Sequence, residues 1–210
     1  MVSIMYEQER KQLQEICRLL YDRNLVSASD GNISMRVGEG HILITPSRMN
    51  KGLLNPEDMI VLDGNGVVIE GTGKASSEFP MHQAIYRKRG EIRAIVHTHP
   101  VYATAFALAG KTIPDNYLIE SKVILGSTAL AEYATPGTTE MVDVISPYID
   151  TVNSILLKNH GAITYGVDLI DAYNRMDVLE EVAKTIIMSK MIGEPILISE
   201  ENLEKLTKKK

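Results

Sequence analysis

Residues 60–69 place two short apolar runs, Ile-Val-Leu and Val-Val-Ile, on either side of the turn sequence Asp-Gly-Asn-Gly. Asp, Asn and Gly adopt the backbone angles of tight turns at low cost, and a turn this short joins antiparallel strands. The pattern therefore predicts a β-hairpin. Of all the local signals in the chain it constrains the fold most, because it excludes a sheet made only of parallel strands.

The other elements follow from the spacing of apolar residues. Periods of three and four residues indicate helices, and short continuous apolar runs indicate buried strands. The predicted helices are 6–23, 79–89, 101–108, 138–149 and 168–190, and the further predicted strands are 33–37, 41–45, 94–99, 123–125, 154–157 and 162–164. No glycine-rich strand-to-helix turn of the dinucleotide-binding kind is present. We therefore predict a mixed α/β fold with a largely antiparallel central sheet and helices on its faces.

Composition excludes some classes of partner. No repeat, linker or low-complexity tract divides the 210 residues, so we predict a single domain over 1–210. Acidic residues outnumber basic ones, 27 to 22, and the formal net charge is −5. Nucleic-acid binding needs a basic face that replaces counterions, so this balance argues against a nucleic-acid partner. The one basic run, Lys-Lys-Lys at 208–210, is expected to be a solvated end.

The sequence also indicates a compartment. Cys17 is the only cysteine, which excludes an intramolecular disulfide and suits a reducing environment. The N-terminal segment becomes charged early and lacks the apolar run of a signal peptide. No stretch approaches the roughly 20 apolar residues of a membrane-spanning helix. We expect a cytoplasmic protein with no membrane partner.

His97 and His99 form a His-x-His pattern in the predicted strand at 94–99. Residues i and i+2 of a strand point to the same face, so both imidazoles should enter one space. Converging neutral imidazoles are typical ligands of Zn²⁺ and related divalent ions. Two hydrogen-bonded core histidines are the alternative, and the pattern alone does not decide between them.

Further ligand types stand at the ends of other predicted elements. His160 lies in a tight Asn-His-Gly turn after an apolar run, and Glu78 lies at a helix start, where the helix dipole alone favours a carboxylate. Three histidines and this carboxylate would form a four-ligand divalent site, with Glu78 the ligand most easily displaced. His82, four residues after Glu78, is a competing ligand that we assign to packing or to support of the ligands. His41 is expected to be an exposed bystander.

Six short motifs, taken together and in order, resemble one known family. They are SDGNIS at 29–34, ITPS at 44–47, SSE at 76–78, IVHTH at 95–99, YATPGT at 133–138 and NHG at 159–161. The chain is similar in these motifs to the class II sugar-phosphate aldolases of the class II aldolase and adducin family, over nearly its whole length. The resemblance implies a three-layer class II aldolase-like domain and a cyclic homotetramer with active sites between subunits.

The resemblance also implies roles for single residues. It places one zinc ion, or another divalent metal, on His97, His99 and His160, and makes Glu78 the metal-associated catalytic carboxylate. It assigns the substrate's phosphate to Gly31, Asn32, Ser47, Ser76 and Ser77. Such a pocket is physically reasonable, because hydroxyls and free N–H groups at a helix start attract a dianion without any basic residue. No Schiff-base lysine is required, and Lys74 and Lys158 are expected to be solvated.

The implied reaction is the cleavage of a ketose 1-phosphate, similar to L-fuculose 1-phosphate, into dihydroxyacetone phosphate and an aldehyde. Glu78 would move the proton at C3, next to the C3–C4 bond that breaks. Three alternatives remain at this point. They are a related lyase or dehydratase that acts on methylthioribulose or deoxyribulose 1-phosphate, a 4-epimerase, and a non-catalytic adducin-like binding module.

The sequence departs from the family at the aldehyde end of the substrate. Fuculose phosphate aldolases place an aromatic hydroxyl from a neighbouring subunit there, and the matching position holds Leu118. Tyr117 and Glu120 are the neighbouring candidates for the acid that protonates the C4 oxyanion, and we favour Glu120. The alternative is that both occupy a solvated edge.

Overall fold

The computed structural model describes residues 4–207. Within them, eight strands form one sheet: β1 (Asn32–Val37), β2 (His41–Ile44), β3 (Ile60–Leu62), β4 (Val68–Glu70), β5 (Ala94–Thr98), β6 (Thr128–Ala131), β7 (Ser154–Leu157) and β8 (Gly161–Gly166). Their spatial order is β4-β3-β2-β1-β5-β8-β7-β6. Every neighbouring pair is antiparallel except β6 and β7, which are parallel. The predicted mixed, largely antiparallel sheet is confirmed.

The predicted hairpin is formed by β3 and β4. Asp63 closes its turn, because the Oδ1 atom accepts hydrogen bonds from the backbone N–H groups of Asn65 at 2.8 Å and Val67 at 2.9 Å. Gly66 has a φ of 90°, in the left-handed region that glycine enters at no steric cost. The residue types at the turn are therefore the ones that its geometry requires.

The helices cover both faces of this sheet. The described part of the chain contains six α-helices: α1 (Glu7–Asp22), α2 (Phe79–Lys88), α3 (Val101–Leu108), α4 (Glu140–Ile145), α5 (Leu169–Ile192) and α6 (Glu200–Thr207). Apolar side chains on one face of the sheet pack with α1, α3 and α5, and those on the other face pack with α2 and α4. Along β5, Val96 belongs to the first cluster and Ile95 to the second, as alternation along a strand requires. The result is three layers.

The strand predicted at 123–125 is wrong. Residues Ser121–Leu125 form a turn of π-helix, and the edge strand is β6, which begins three residues later. The backbone carbonyl of Ile124 accepts a hydrogen bond from Arg175 Nη1 of α5 at 2.6 Å, so its partner is a helix side chain and not a neighbouring strand. A short apolar run does not by itself separate a strand from one helical turn. Strand β6 and helix α6 were not predicted, and α4 covers only the middle of the predicted 138–149 helix.

Two further expectations concern the surroundings of the chain. No helix within residues 4–207 combines the length and the apolar character that crossing a lipid bilayer demands. The lysine run at 208–210 lies outside the described residues, so its solvated state stays a prediction. Cys17 is buried in α1, and burial raises the pKa of its thiol to about 12.

Candidate active site

His97 and His99 meet at the end of the central strand β5. His97 is paired with Asn32 of β1 on one side and with Ile163 of β8 on the other, which fixes its position in the sheet. His99 lies just past the strand end, and its ring points to the same side. The two Nε2 atoms are 3.4 Å apart and the ring centroids 5.1 Å apart. The structure thus brings both imidazoles into one space, as their spacing predicts.

A third imidazole comes from the turn between β7 and β8. His160 follows Asn159, whose φ of 57° is a value that asparagine tolerates well. The centroid of the His160 ring lies 4.8 Å from the centroid of each of the other two rings. Gly161 comes next, and a Cβ atom there would lie 2.5 Å from a backbone oxygen of β5. Only glycine lets the turn approach β5 closely enough to complete this histidine cluster (His97, His99, His160).

Glu78 lies at the N-cap position of α2, directed at the cluster. Its Oε2 atom is 3.3 Å from His97 Nε2, and its Oε1 atom is 3.4 Å from His160 Nε2. The side-chain amide of Asn32 donates a hydrogen bond to Oε2 at 2.8 Å. The carboxylate is therefore held between two of the three imidazoles, with one oxygen oriented by an amide.

The histidine cluster fits a divalent cation. One nitrogen from each ring lies within 4.8 Å of the others. His97 Nδ1 is 2.9 Å from the carbonyl oxygen of Ala162, so Nδ1 donates a hydrogen bond there and Nε2 faces the cluster. Glu78 Oε1 is buried and has no hydrogen-bond partner in the described part of the chain. An anionic oxygen without a donor, beside three imidazoles, is an environment that a cation completes.

Asp30 lies beside the cluster, and sequence reasoning missed it. Its Oδ2 atom lies 3.7 Å from His99 Nδ1, which is longer than a hydrogen bond. Burial lowers the pKa of His99, and the negative charge of Asp30 opposes that lowering. Asp30 stands in the SDGNIS motif, but its separation from His99 in the sequence follows no local pattern. Nothing in the sequence therefore linked the two residues.

The protonation states suit metal binding. Burial, aided by the charge of His97, lowers the pKa of His99 and of His160 to about 4, so both imidazoles are neutral at pH 7. Burial raises the pKa of Glu78, but His97, His160 and the Asn32 amide outweigh burial and hold that pKa well below the usual carboxyl range. Glu78 is therefore ionised at neutral pH and able to accept a proton.

The two remaining histidines lie outside the cluster. His82 is fully buried, and its Nδ1 atom is 2.7 Å from Ser34 Oγ, which in turn is 2.9 Å from the Tyr86 hydroxyl. This packing role agrees with our assignment of His82. The expectation that His41 is exposed is wrong, because its ring is half-buried and its Nδ1 atom lies 2.9 Å from the Tyr6 hydroxyl.

We expect the metal-free protein to lose stability as the pH falls from 7 to 5. Burial, together with the charge of His97, lowers the pKa of His82 to about 3 in the folded chain. An unfolded histidine has a pKa of roughly 6.5, so the unfolded chain binds more protons across this range and is favoured as pH falls. His99 and His160 act in the same direction. Urea unfolding in chelator at pH 7, 6 and 5 measures the loss.

The variant His82→Asn is the matched control for this prediction. Asparagine keeps a polar partner for Ser34 Oγ but does not titrate, so its free energy of unfolding should change less between pH 7 and pH 5. A loss equal to that of the wild-type protein would contradict a contribution from His82.

The residues assigned to phosphate divide into two groups. Ser47 and Ser77 line a cavity of about 420 Å³ between two loops, which we call the loop pocket; its lining residues are Ser47, Arg48, Lys74, Ala75 and Ser77. The sequence reasoning expected a pocket without basic residues and a solvated Lys74. Lys74 is exposed, as expected, but Arg48 and Lys74 both line this cavity, so the pocket does contain basic residues. The one sequence feature that could have pointed to Arg48 was its position directly after Ser47, a residue already assigned to phosphate.

The other three phosphate candidates lie nearer the carboxylate and β5. Asn32 donates to Glu78, as described, and Ser76 Oγ accepts a hydrogen bond from the backbone N–H of Glu78 at 3.2 Å. Gly31 has a φ of 68°, and a Cβ atom there would lie 2.4 Å from the carbonyl oxygen of His97. Asn32 and Ser76 thus contact Glu78, and Gly31 lies against the backbone of His97.

Tyr117 and Glu120 are not brought to the cluster within this chain. Tyr117 and Leu118 pack against the core on the α1, α3 and α5 face, and Glu120 is exposed just before Ser121–Leu125. Neither candidate shares a hydrogen bond, ion pair or ring contact with the three histidines across residues 4–207. Lys158, outside the cluster, pairs with Glu132 at 2.8 Å.

Known proteins share this architecture. Residues 11–187 match the family described as Class II Aldolase and Adducin N-terminal domain. The L-fuculose phosphate aldolase of Methanococcus maripaludis strain C7 is 41% identical over 170 residues, 81% of this chain and 91% of that protein. The 5-deoxy-D-ribulose 1-phosphate aldolase of Bacillus thuringiensis serovar kurstaki is 34% identical over 209 residues, 98% and 97% of the two chains. A solved L-fuculose 1-phosphate aldolase superposes with a TM-score of 0.86 at 32% identity, over 95% and 94% of the two chains.

Fold, histidine cluster and relatives together define a class II aldolase, a metal-dependent carbon–carbon lyase. The chain belongs to the Class II Aldolase and Adducin N-terminal domain family. The resemblance carried by the six motifs is thereby confirmed.

Proposed function

We propose that this protein is a zinc-dependent aldolase that cleaves a ketose 1-phosphate into dihydroxyacetone phosphate and an aldehyde. The observation that carries the proposal is the Glu78 carboxylate, 3.3 Å from His97 and 3.4 Å from His160. A cluster of three imidazoles is a typical zinc environment, and a carboxylate beside it provides the proton acceptor that aldol chemistry needs.

Glu78 handles the proton at C3 in this proposal. In the condensation direction the ionised carboxylate removes a proton from C3 of dihydroxyacetone phosphate, and in the cleavage direction it returns that proton after the C3–C4 bond breaks. His97, His99 and His160 would hold a divalent cation, which would supply Lewis acidity to the reaction. The amide of Asn32 fixes Oε2, which leaves Oε1 free to meet the substrate. The donor half of the substrate would therefore lie against Oε1.

The phosphate would occupy the loop pocket. Ser47 and Ser77 offer hydroxyl donors there. Of the other three residues assigned to phosphate, Asn32 and Ser76 are hydrogen-bonded to Glu78, and Gly31 lies against the backbone of His97. Support for a ketose 1-phosphate comes from the solved L-fuculose 1-phosphate aldolase and from the Bacillus relative, because both are named for aldolases of such sugars. A 5-deoxyribulose 1-phosphate is the second candidate substrate, because the relative named for it matches 98% of this chain.

The acceptor end requires another group. We assign the proton at the C4 oxygen to Glu120 or Tyr117 of an adjacent copy in a homotetramer, because neither residue reaches the histidine cluster within its own chain. The proposal further places the whole chain, 1–210, in one domain and the enzyme in the cytoplasm. These points follow the family resemblance and the composition.

A substrate panel tests the proposal. Zinc-loaded protein is incubated with L-fuculose 1-phosphate, 5-deoxyribulose 1-phosphate, 5-methylthioribulose 1-phosphate and the unphosphorylated ketoses, and dihydroxyacetone phosphate is measured by a coupled enzymatic assay. We expect cleavage of at least one phosphorylated ketose and little or no cleavage of the free sugars. A dehydratase or an epimerase would consume substrate without releasing dihydroxyacetone phosphate. Equal turnover of phosphorylated and free ketose would contradict the proposed phosphate site.

A further inference from the structure

Arg48 and Lys74 stand together at the rim of the loop pocket. Both line the cavity, whose lining includes no acidic residue. Neither forms an ion pair or a side-chain hydrogen bond anywhere in residues 4–207, whereas Lys122 and Lys158, for example, each pair with a carboxylate at 2.8 Å. Two cations without a protein partner, beside two serine hydroxyls, form an environment suited to an anion.

The two loops are joined, so the pair of cations is held on one rim. The backbone N–H of Ser47 donates to the carbonyl oxygen of Lys74 at 2.8 Å, and Pro46 and Ala75 form an isolated antiparallel bridge. Arg48 has a φ of 61°, a region that favours glycine over a residue with a long side chain.

The charges of the pocket fit an anion. The chain as a whole carries a formal charge of −5, which repels a dianion, and the hydroxyl donors of Ser47 and Ser77 carry no charge that offsets this repulsion. A guanidinium can hold two phosphate oxygens at once, and an ammonium adds a point charge.

We propose that Arg48 and Lys74 are specificity-determining residues that select the dianionic phosphate of the substrate by charge. The inference rests on the proposed function and deepens it: serine hydroxyls orient the phosphate, while the two cations supply the affinity that separates a dianion from a neutral hydroxyl group.

The test uses inorganic phosphate as the probe and zinc-loaded protein as the target. Calorimetric titration at several NaCl concentrations gives the Kd of phosphate and its dependence on salt. Arg48→Gly removes the guanidinium and suits the local φ, and we expect it to weaken binding about tenfold. Lys74→Gln should weaken binding about threefold, as expected for a flexible, exposed charge. Arg48→Lys should recover most of the loss.

Salt dependence separates charge from hydrogen bonding. The double variant Arg48→Gly with Lys74→Gln should show a much flatter dependence of Kd on NaCl, because screening acts on the charges that it removes. Ser77→Ala should weaken binding while keeping the wild-type dependence on salt. Arg87→Gln and Lys111→Gln remove exposed cations away from the pocket and serve as controls with unchanged Kd.

Two results would overturn the inference: a wild-type phosphate Kd in the double variant, or an unchanged dependence of Kd on salt. The proposed function fails separately. A protein that binds phosphate through these cations but releases no dihydroxyacetone phosphate from any ketose 1-phosphate supports the charge selection and contradicts the aldolase substrate. A protein that cleaves such a ketose with the same KM in wild type and double variant keeps its function and loses this inference.

Discussion

Replacing Glu78 with glutamine should lower kcat for the cleaved ketose 1-phosphate by about 100-fold or more, the usual scale for the loss of a general base. Glutamine keeps the size of the side chain and one oxygen near the imidazoles but does not accept the proton from C3. The Asn32 amide donates to Glu78 Oε2 at 2.8 Å, and the amide oxygen of glutamine remains able to accept that bond. Steady-state kinetics with zinc-loaded protein measures the effect.

Metal analysis and a matched control make this result specific. Metal content in Glu78→Gln should fall less than in a histidine variant, since the three imidazoles remain. Glu194→Gln changes an exposed glutamate outside the site and should leave kcat and metal content unchanged. Nearly unchanged turnover in Glu78→Gln would make Glu78 a structural residue and place the base elsewhere.

Replacing His99 with alanine should remove most of the bound metal. The cluster has three imidazoles with centroids 4.8–5.1 Å apart, so the loss of one leaves two nitrogens and a carboxylate that carries only part of the coordination. Altering a group that merely supports a ligand already costs roughly 10–100-fold in affinity, so loss of a ligand itself should exceed that range. Elemental analysis after reloading with zinc and desalting gives the metal content per chain.

The control for this experiment is a histidine outside the cluster. His41→Ala removes an imidazole whose hydrogen-bond partner is Tyr6, so this variant should keep its metal. Full metal retention by His99→Ala would show that His99 is not a ligand of the ion. Turnover should fall with the metal content in His99→Ala and stay unchanged in His41→Ala.

Local sequence signals predicted the parts of the site that belong to one element. The His-x-His pattern needs only the alternation of a strand, and the hairpin at 60–69 needs only its turn residues. The place of His160 beside His97 depends on β8 pairing with β5, a contact between residues more than 60 positions apart in the sequence. No local period contains that information, so the third ligand came from its residue type and from the family resemblance.

The errors have physical reasons of the same kind. The apolar run at 123–125 predicts a strand. In the structure the backbone of this segment instead accepts a hydrogen bond from Arg175, which is far away in the sequence. The basic rim of the loop pocket was missed because Arg48 and Lys74 lie on two loops that the Pro46–Ala75 bridge brings together. Loop residues carry no periodic signal, so their neighbours in space follow from the fold alone.

The histidine cluster and the loop pocket are built on different kinds of structure. Strand β5, which carries His97, is paired along both edges, whereas Arg48 and Lys74 stand on surface loops joined by one short bridge. Surface loops accept substitutions and insertions far more readily than a central paired strand. Substitutions in these two loops can therefore alter the loop pocket while the reactive centre keeps its geometry.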